Sequence, residues 1–118
     1  MKNKIYLIET KRTPTVELEL EKNKLNISGR SISENVESIY IPILNRIYET
    51  KMDVFYIFID LEYLNCRSTK YIFEIIKNSS IKSEIYVDWK CESYDSDLIE
   101  IVDAIGDILN LKINIILN

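Results

Sequence analysis

From residue 36 onward, apolar residues at helical spacing alternate with short apolar runs, and this alternation constrains the fold more than any other feature. The helical patterns and strand-like runs follow one another in the order 36–47, Val54–Ile59, 68–79, Ile85–Trp89, 95–109 and Ile113–Leu117. Two strands joined through a helix need a crossover connection, which makes them parallel. The second half of the chain therefore predicts a largely parallel sheet of the α/β class.

The first thirty residues instead predict antiparallel strands. Thr15–Glu21 alternates apolar and acidic residues, Lys22-Asn23 forms a turn, and Leu25 with Ile27 continues the second arm of a hairpin. Lys4–Ile8 is a further short strand. The chain of 118 residues is expected to be one domain, 1–118. Its sheet is mixed, with an N-terminal hairpin followed by alternating strands and about three helices.

The segment Gly29–Asn35 is expected to form a loop and the start of the first helix. Ser31 and Glu34 have the spacing of a capping box, and Ser33 is the rival cap. Pro42 lies inside the helical pattern that follows. It is expected to kink this helix, because proline removes one backbone donor and crowds the preceding turn.

A polar segment, Leu61–Lys70, separates a strand from a helix. The preceding run Val54–Ile59 is apolar at every position, which predicts a central strand covered on both sides. The following helix is expected to begin near Ser68. Unpaired N–H groups and the helix dipole favour an anion such as phosphate at such a helix start. The short polar or nucleophilic residues of this turn are Asn65, Cys66, Ser68 and Thr69.

Composition removes most classes of enzyme and several classes of partner. The net charge of −4 argues against a nucleic-acid-binding protein, which needs a basic face. Histidine is absent and only two glycines occur, so the usual general base and a glycine-rich phosphate loop are both missing. Neither a cofactor nor a metal is expected. Paired carboxylates remain available for catalysis, but alone they indicate little.

The chain is expected to be cytoplasmic and not bound to a membrane. Its apolar runs are shorter than the roughly 18 residues of a membrane span. Met1–Lys4 is basic, but the following apolar run Ile5–Ile8 is too short for the core of a signal peptide.

Ordinary structural roles compete with functional ones for several residues. Ser68 is either a modified hydroxyl or simply a helix N-cap. Cys66 and Cys91 both follow parallel strands, so they form either a redox pair at one sheet edge or two reduced thiols. Four carboxylates near that edge could bind a cation, although solvated strand ends and helix-dipole interactions explain them as well. These carboxylates are Asp60, Glu62, Asp95 and Asp97.

Four blocks of residues together resemble the SiaC-type regulatory phosphoproteins of bacteria, whose fold is like that of the STAS domains of anti-sigma-factor antagonists. The blocks are Lys11-Arg12-Thr13-Pro14; Gly29–Asn35 with Tyr40-Ile41-Pro42-Ile43-Leu44; Leu61–Lys70; and Trp89 with Asp95 and Asp97. The second and third blocks are the most specific, and the four span nearly the whole chain.

The resemblance implies a STAS-like fold and a non-enzymatic signalling role. Members of the family are phosphorylated on a hydroxyl of the third block by a serine/threonine kinase and dephosphorylated by a phosphatase. Their phosphorylation state decides which protein they bind, and one such partner is a diguanylate cyclase. A phosphate adds nearly two negative charges at a helix start, which can repel or reshape a docking surface.

This chain departs from the family pattern where the phosphate is added. The family's acceptor threonine aligns with Cys66, so either Ser68 or Thr69 accepts the phosphate or the switch is lost. A lost switch leaves a constitutive binding domain or an oligomerisation domain. Ser33 replaces the family's proline, and Val102-Asp103-Ala104 replaces Gly-Glu-Asp. The expected partner-binding residues are Arg30, Ser31, Glu34, Asn35, Glu62, Tyr63, Asn65 and Arg67.

Overall fold

The computed structural model describes residues 4–118, so most of the basic N-terminal segment lies outside the described residues. One short 3-10 turn, Leu20–Lys22, joins the second and third strands. The other elements are β1 (Lys4–Leu7), β2 (Thr15–Glu19), β3 (Lys24–Ser31), α1 (Glu37–Glu49), β4 (Val54–Leu64), α2 (Cys66–Lys82), β5 (Glu84–Cys91), α3 (Ser96–Leu109) and β6 (Ile113–Leu117). None of these helices is long and apolar enough to cross a membrane.

The six strands form one mixed sheet in which spatial order equals chain order. β1, β2 and β3 pair antiparallel, whereas β3, β4, β5 and β6 pair parallel. The predicted mixed sheet with an N-terminal hairpin is therefore confirmed. Each of the three helices crosses over to the next strand in the same direction. Because such crossovers are right-handed, all three helices lie on one face of the sheet.

The buried core lies between the helices and this one face. In the strand register Leu25 is paired with Ile57, and Ile59 with Trp89, and all four side chains are buried. The opposite face is open to solvent, where Tyr56 and Tyr86 stack with ring centroids 5.4 Å apart. The expectation that β4 is covered on both sides is therefore wrong, because the molecule has one layer of helices and aromatic side chains tolerate the wet face.

The expected loop at Gly29–Asn35 is shorter than the sequence suggested. Gly29–Ser31 belongs to β3, and a change of register after Gly29, whose φ is 103°, lets the strand continue along β4. Helix α1 begins later, at Glu37, and has no side-chain cap. The prediction of a capping box and the alternative prediction of Ser33 as the cap are therefore both wrong. Pro42 lies inside α1, which continues beyond it.

The second and third helices begin with polar caps, but both starts differ from the prediction. α2 starts two residues before Ser68, and its N-cap is Asn65. α3 starts at Ser96, and Asp95, expected to be its first residue, is instead its N-cap. Ile101 and Ile108 belong to the helical pattern of apolar residues that predicted α3, whose apolar residues are expected to face the core, but both are exposed to solvent.

Candidate functional site

The start of α2 is fixed by Asn65, which connects it to the end of β3. The Asn65 side-chain oxygen accepts a hydrogen bond from the Ser68 amide at 2.9 Å, the geometry of an N-cap. Its side-chain nitrogen donates to the Ser33 carbonyl at 3.1 Å, and its backbone amide donates to the Ser31 carbonyl at 3.0 Å. One residue therefore positions the helix against two points of the neighbouring segment.

Beneath this cap, three buried hydroxyl groups form a chain of hydrogen bonds. Ser31 donates to the Ser68 hydroxyl at 2.7 Å, and Ser68 donates to the Ser31 carbonyl at 2.8 Å. The Tyr40 hydroxyl lies 2.7 Å from Ser31 Oγ. Since the Ser31 proton is already used, Tyr40 is the donor in this contact. The chain joins β3 and α1, which are consecutive in the sequence, to α2, whose Ser68 is 37 residues from Ser31.

Burial also changes the acidity of this network. It raises the pKa of Tyr40 to about 12, although hydrogen bonds with Ser31 and Ser68 act in the opposite direction. Tyr40 also stacks on Tyr71 of α2, with ring centroids 5.8 Å apart. The neutral phenol is therefore a fixed structural donor at neutral pH.

The three candidate phosphoacceptor positions differ sharply in exposure. Ser68 is completely buried, and its hydroxyl both donates and accepts a hydrogen bond. The Thr69 side chain is half-buried and donates to the Asn65 carbonyl at 3.0 Å. Cys66, the first residue of α2, is exposed. The most accessible of the three positions thus carries a thiol.

Charged side chains surround this helix start. Arg67 of α2 forms an ion pair with Glu37 at the first turn of α1. Arg30 at the end of β3 lies 3.4 Å from a carboxylate oxygen of Glu62 and 5.9 Å from the ring centroid of Tyr63. The second contact has the geometry of a cation–π interaction. We call this surface, formed by residues 30, 62, 63 and 65–69, the α2 entrance.

The structure brings most of the predicted binding residues to this one edge of the sheet. Those that meet here are Arg30, Ser31, Glu62, Tyr63, Asn65 and Arg67. Glu34 and Asn35 are exposed in the adjoining loop, which is held by amides of Ile32 and Ser33 donating to the Arg12 carbonyl. Sequence reasoning missed the contacts of Glu37 and Tyr40, because no local pattern links them to α2.

A cleft of about 610 Å³ lies beside the α2 entrance, at the carboxyl ends of the central strands. Tyr63 and Tyr94 are among its lining residues, together with Lys90. The carboxylates that line it are Glu9, Asp60, Glu62, Glu92 and Asp95. The cleft is therefore predominantly acidic.

These carboxylates are engaged in ordinary structural contacts. Asp60 lies 3.9 Å from the Lys90 ammonium, Glu62 pairs with Arg30, and Asp95 caps α3. Asp97 does not line the cleft. Within residues 4–118, no group of three or more histidine, cysteine or carboxylate residues is placed to hold a metal ion.

The two cysteines occupy different environments. Both are free thiols; Cys66 is exposed and Cys91 is buried. Burial raises the pKa of the Cys91 thiol, and the nearby carboxylates Asp95 and Asp103 act in the same direction. Cys91 is therefore held as a neutral, unreactive thiol.

A family model described as the SiaC family regulatory phosphoprotein matches residues 7–118. No curated protein sequence matches the chain.

Solved structures share the fold at low sequence identity. SiaC of Pseudomonas aeruginosa has a TM-score of 0.79 at 14% identity, with 98% of this chain and 97% of that chain covered. A crystal structure of the diguanylate cyclase SiaD in complex with its activator SiaC, from the same organism, gives a TM-score of 0.84 at 15% identity. There the match covers 97% of this chain and 99% of that chain.

Proposed function

This chain belongs to the SiaC family of regulatory phosphoproteins, and we propose that it is a non-enzymatic cytoplasmic regulator that binds and activates a diguanylate cyclase. The proposal follows from family membership and from the chain's similarity to the SiaC that activates the SiaD cyclase. The α2 entrance is its binding surface. An arginine, a tyrosine and a capped helix start project there from a rigid sheet edge, and such residues commonly anchor protein interfaces.

We further propose that this binding is constitutive, and the observation that carries this step is the exposed thiol at position 66. The family resemblance places the acceptor threonine there, and a serine/threonine kinase cannot phosphorylate a thiol in its place. Ser68, the neighbouring hydroxyl, is enclosed by Ser31 and the Asn65 cap. The unphosphorylated surface is therefore the default state of this chain, and partner binding is constitutive at this position.

A second candidate keeps the phosphorylation switch and moves it to Thr69. This residue is half-buried rather than enclosed, and it lies in the first turn of α2, where the helix dipole stabilises a phosphate. Phosphorylation would replace its hydrogen bond to the Asn65 carbonyl, which would disturb the α2 entrance directly. In that case a kinase and a phosphatase are further partners.

Charge at position 66 tests the proposed surface. A diguanylate cyclase from the organism that encodes this chain is assayed for cyclic di-GMP formation. The assay is run with the wild-type chain, with Cys66→Glu and with Cys66→Gln. The two variants differ in charge but hardly in shape, so we expect Gln to preserve activation and Glu to abolish it. Equal activation by both variants would place the cyclase elsewhere, and no activation by the wild-type chain would refute the cyclase proposal.

Intact mass after co-expression with the cognate kinase separates the two candidates. Constitutive binding predicts no phosphate on the wild-type chain and one phosphate on Cys66→Thr. A switch at Thr69 predicts one phosphate on the wild-type chain that is lost in Thr69→Val. Ser68→Ala serves as the control for the buried hydroxyl.

A further inference from the structure

Helix α3 carries an apolar stripe that the sheet does not cover. Leu98, Val102 and Ile105 of this helix are buried against the sheet. Ile101 is 39% exposed and Ile108 is 70% exposed, and with the exposed Ala104 they lie at positions i, i+3 and i+7. That spacing puts all three side chains on one side of the helix. We call Ile101, Ala104 and Ile108 the α3 stripe.

The α3 stripe faces away from the neighbouring edge strand. Gly106 marks the side of α3 that packs on the start of β6, since a Cβ there would lie 2.9 Å from the Leu111 carbonyl and 3.8 Å from Ile113. Ile108 follows Gly106 by two residues, which turns it by roughly 200° around the helix. No element within residues 4–118 therefore closes over Ile108.

An acidic row borders the α3 stripe. Glu100, Asp103 and Asp107 lie at i, i+3 and i+7, all exposed, and α3 contains no lysine or arginine. None of the three forms an ion pair within residues 4–118. Asp103 and Asp107 repel each other at i, i+4 spacing, and Asp107 lies in the last turn, where the dipole disfavours a negative charge. These charges therefore do not stabilise α3 itself.

We propose that the α3 stripe and its acidic row bind an amphipathic, basic helix of a partner protein. An apolar stripe on that helix would cover Ile101 and Ile108, and its lysines or arginines would pair with Asp103 and Asp107. This site is distinct from the α2 entrance and does not depend on the partner being a cyclase. A second copy of this chain fits poorly, because its basic helix, α2, exposes one large apolar residue, Ile81, among its cations.

A model peptide tests the site directly. The probe is a fluorescently labelled peptide of about 18 residues with leucines along one face of the helix and lysines along the other. Its matched control replaces every lysine with glutamate. We expect the lysine peptide to bind the full chain, with an affinity that falls as salt rises, and the glutamate peptide not to bind. Absence of binding by the lysine peptide would overturn the proposal.

Paired variants locate the contact. Ile101→Ser/Ile108→Ser should weaken peptide binding by at least about tenfold, because both isoleucines lose apolar contact. Asp103→Asn/Asp107→Asn should also weaken it by about tenfold and flatten its salt dependence. Ile81→Ser, which removes an isoleucine of α2 that is 74% exposed, and Glu21→Gln are the controls expected to bind normally.

Two results would contradict the site. One is a loss of peptide binding in Ile81→Ser or Glu21→Gln as large as that in the α3 variants, which would indicate nonspecific attraction to an acidic protein. The other is a wild-type dimer in light scattering that becomes a monomer in Ile101→Ser/Ile108→Ser, because a second copy would then cover the α3 stripe. Circular dichroism of every variant shows whether it is folded. If Ile101→Ser/Ile108→Ser does not fold, Asp103→Asn/Asp107→Asn still tests the site.

Discussion

The start of α2 and the exposed side of α3 differ in whether their polar and charged groups find partners within the molecule. At the α2 entrance, the cap, the buried hydroxyls and the ion pair of Arg67 with Glu37 satisfy the polar groups within the molecule. On α3, exposed isoleucines lie beside carboxylates that have no ion-pair partner in residues 4–118. The first region is built for rigidity, whereas the second leaves apolar area and charge for a partner to use.

The comparison separates two ways in which a surface can be functional. A rigid surface presents a fixed shape, so a small change of charge at Cys66 alters what it can bind. The α3 surface is instead a site where the chain folds against its own electrostatic preference. Mutations should therefore destabilise the protein in the first region and stabilise it in the second, and the effects in the first region should be larger.

Removing the central hydroxyl of the buried network beneath the α2 entrance should have the largest effect. Ser31→Ala deprives the Tyr40 hydroxyl of its acceptor and the Ser68 hydroxyl of one donor, both in a buried site. We expect the free energy of unfolding to fall by about 2–3 kcal/mol, the cost of unsatisfied buried polar groups. Urea denaturation followed by circular dichroism measures it. Ser80→Ala is the control on α2, and equal stability of both variants would contradict the role of the network.

Alkaline pH should lower the free energy of unfolding through Tyr40, which belongs to the same network. Its pKa is raised to about 12 in the folded chain, against about 10 when unfolded. The stabilising contribution is complete below pH 10 and is lost as the pH rises from 10 to 12, because only the unfolded state then loses the proton. We expect a loss of about 1.4 kcal/mol at pH 11. Tyr40→Phe should lack this component, so parallel pH curves of the two proteins would contradict the prediction.

Loss of the N-cap should have a somewhat smaller effect on stability than alkaline pH. Asn65→Ala removes the acceptor for the Ser68 amide and the donor to Ser33. The expected loss is about 1 kcal/mol, typical of N-cap deletions. Asn65→Asp keeps the acceptor, so it should retain most of the stability. A thermal melt of the three proteins would show whether the alanine and aspartate variants differ as expected.

On α3 the effect of a mutation on stability should have the opposite sign. Asp107→Asn removes a negative charge from the last turn and relieves repulsion with Asp103, so we expect a gain of about 0.3–1 kcal/mol. Glu21→Gln, at an exposed site outside α3, should change little. High salt should erase the gain, because these charges are exposed. A loss of stability would show that the carboxylate has a structural partner.

Local sequence patterns anticipated much of this fold. The periodicity of the second half gave three helices and the parallel strands, and β6 was predicted with its observed bounds. The α2 entrance was also located correctly as the junction of a strand and a helix. The details that failed were the cap residue, the extent of β3 and the coverage of β4.

These failures share a physical cause. Whether Ser31 caps a helix or ends a strand depends on β4 lying beside it, since neighbouring strands decide where pairing stops. The apolar character of Val54–Ile59 cannot reveal that helices cover one face only. Likewise, the spacing of Ile101 and Ile108 matches a buried helical face, yet the width of the sheet decides which apolar residues of α3 are covered.

The sequence by itself determined the order of helices and strands, the parallel pairing of strands joined through helices and the absence of a hydroxyl at position 66, because periodicity and residue identity are local properties. Only the tertiary structure decided that Ser68 is enclosed, that Cys66 is exposed and that the α3 stripe is uncovered. Burial and hydrogen bonding between distant residues depend on which elements pack together, and the local sequence does not encode that packing.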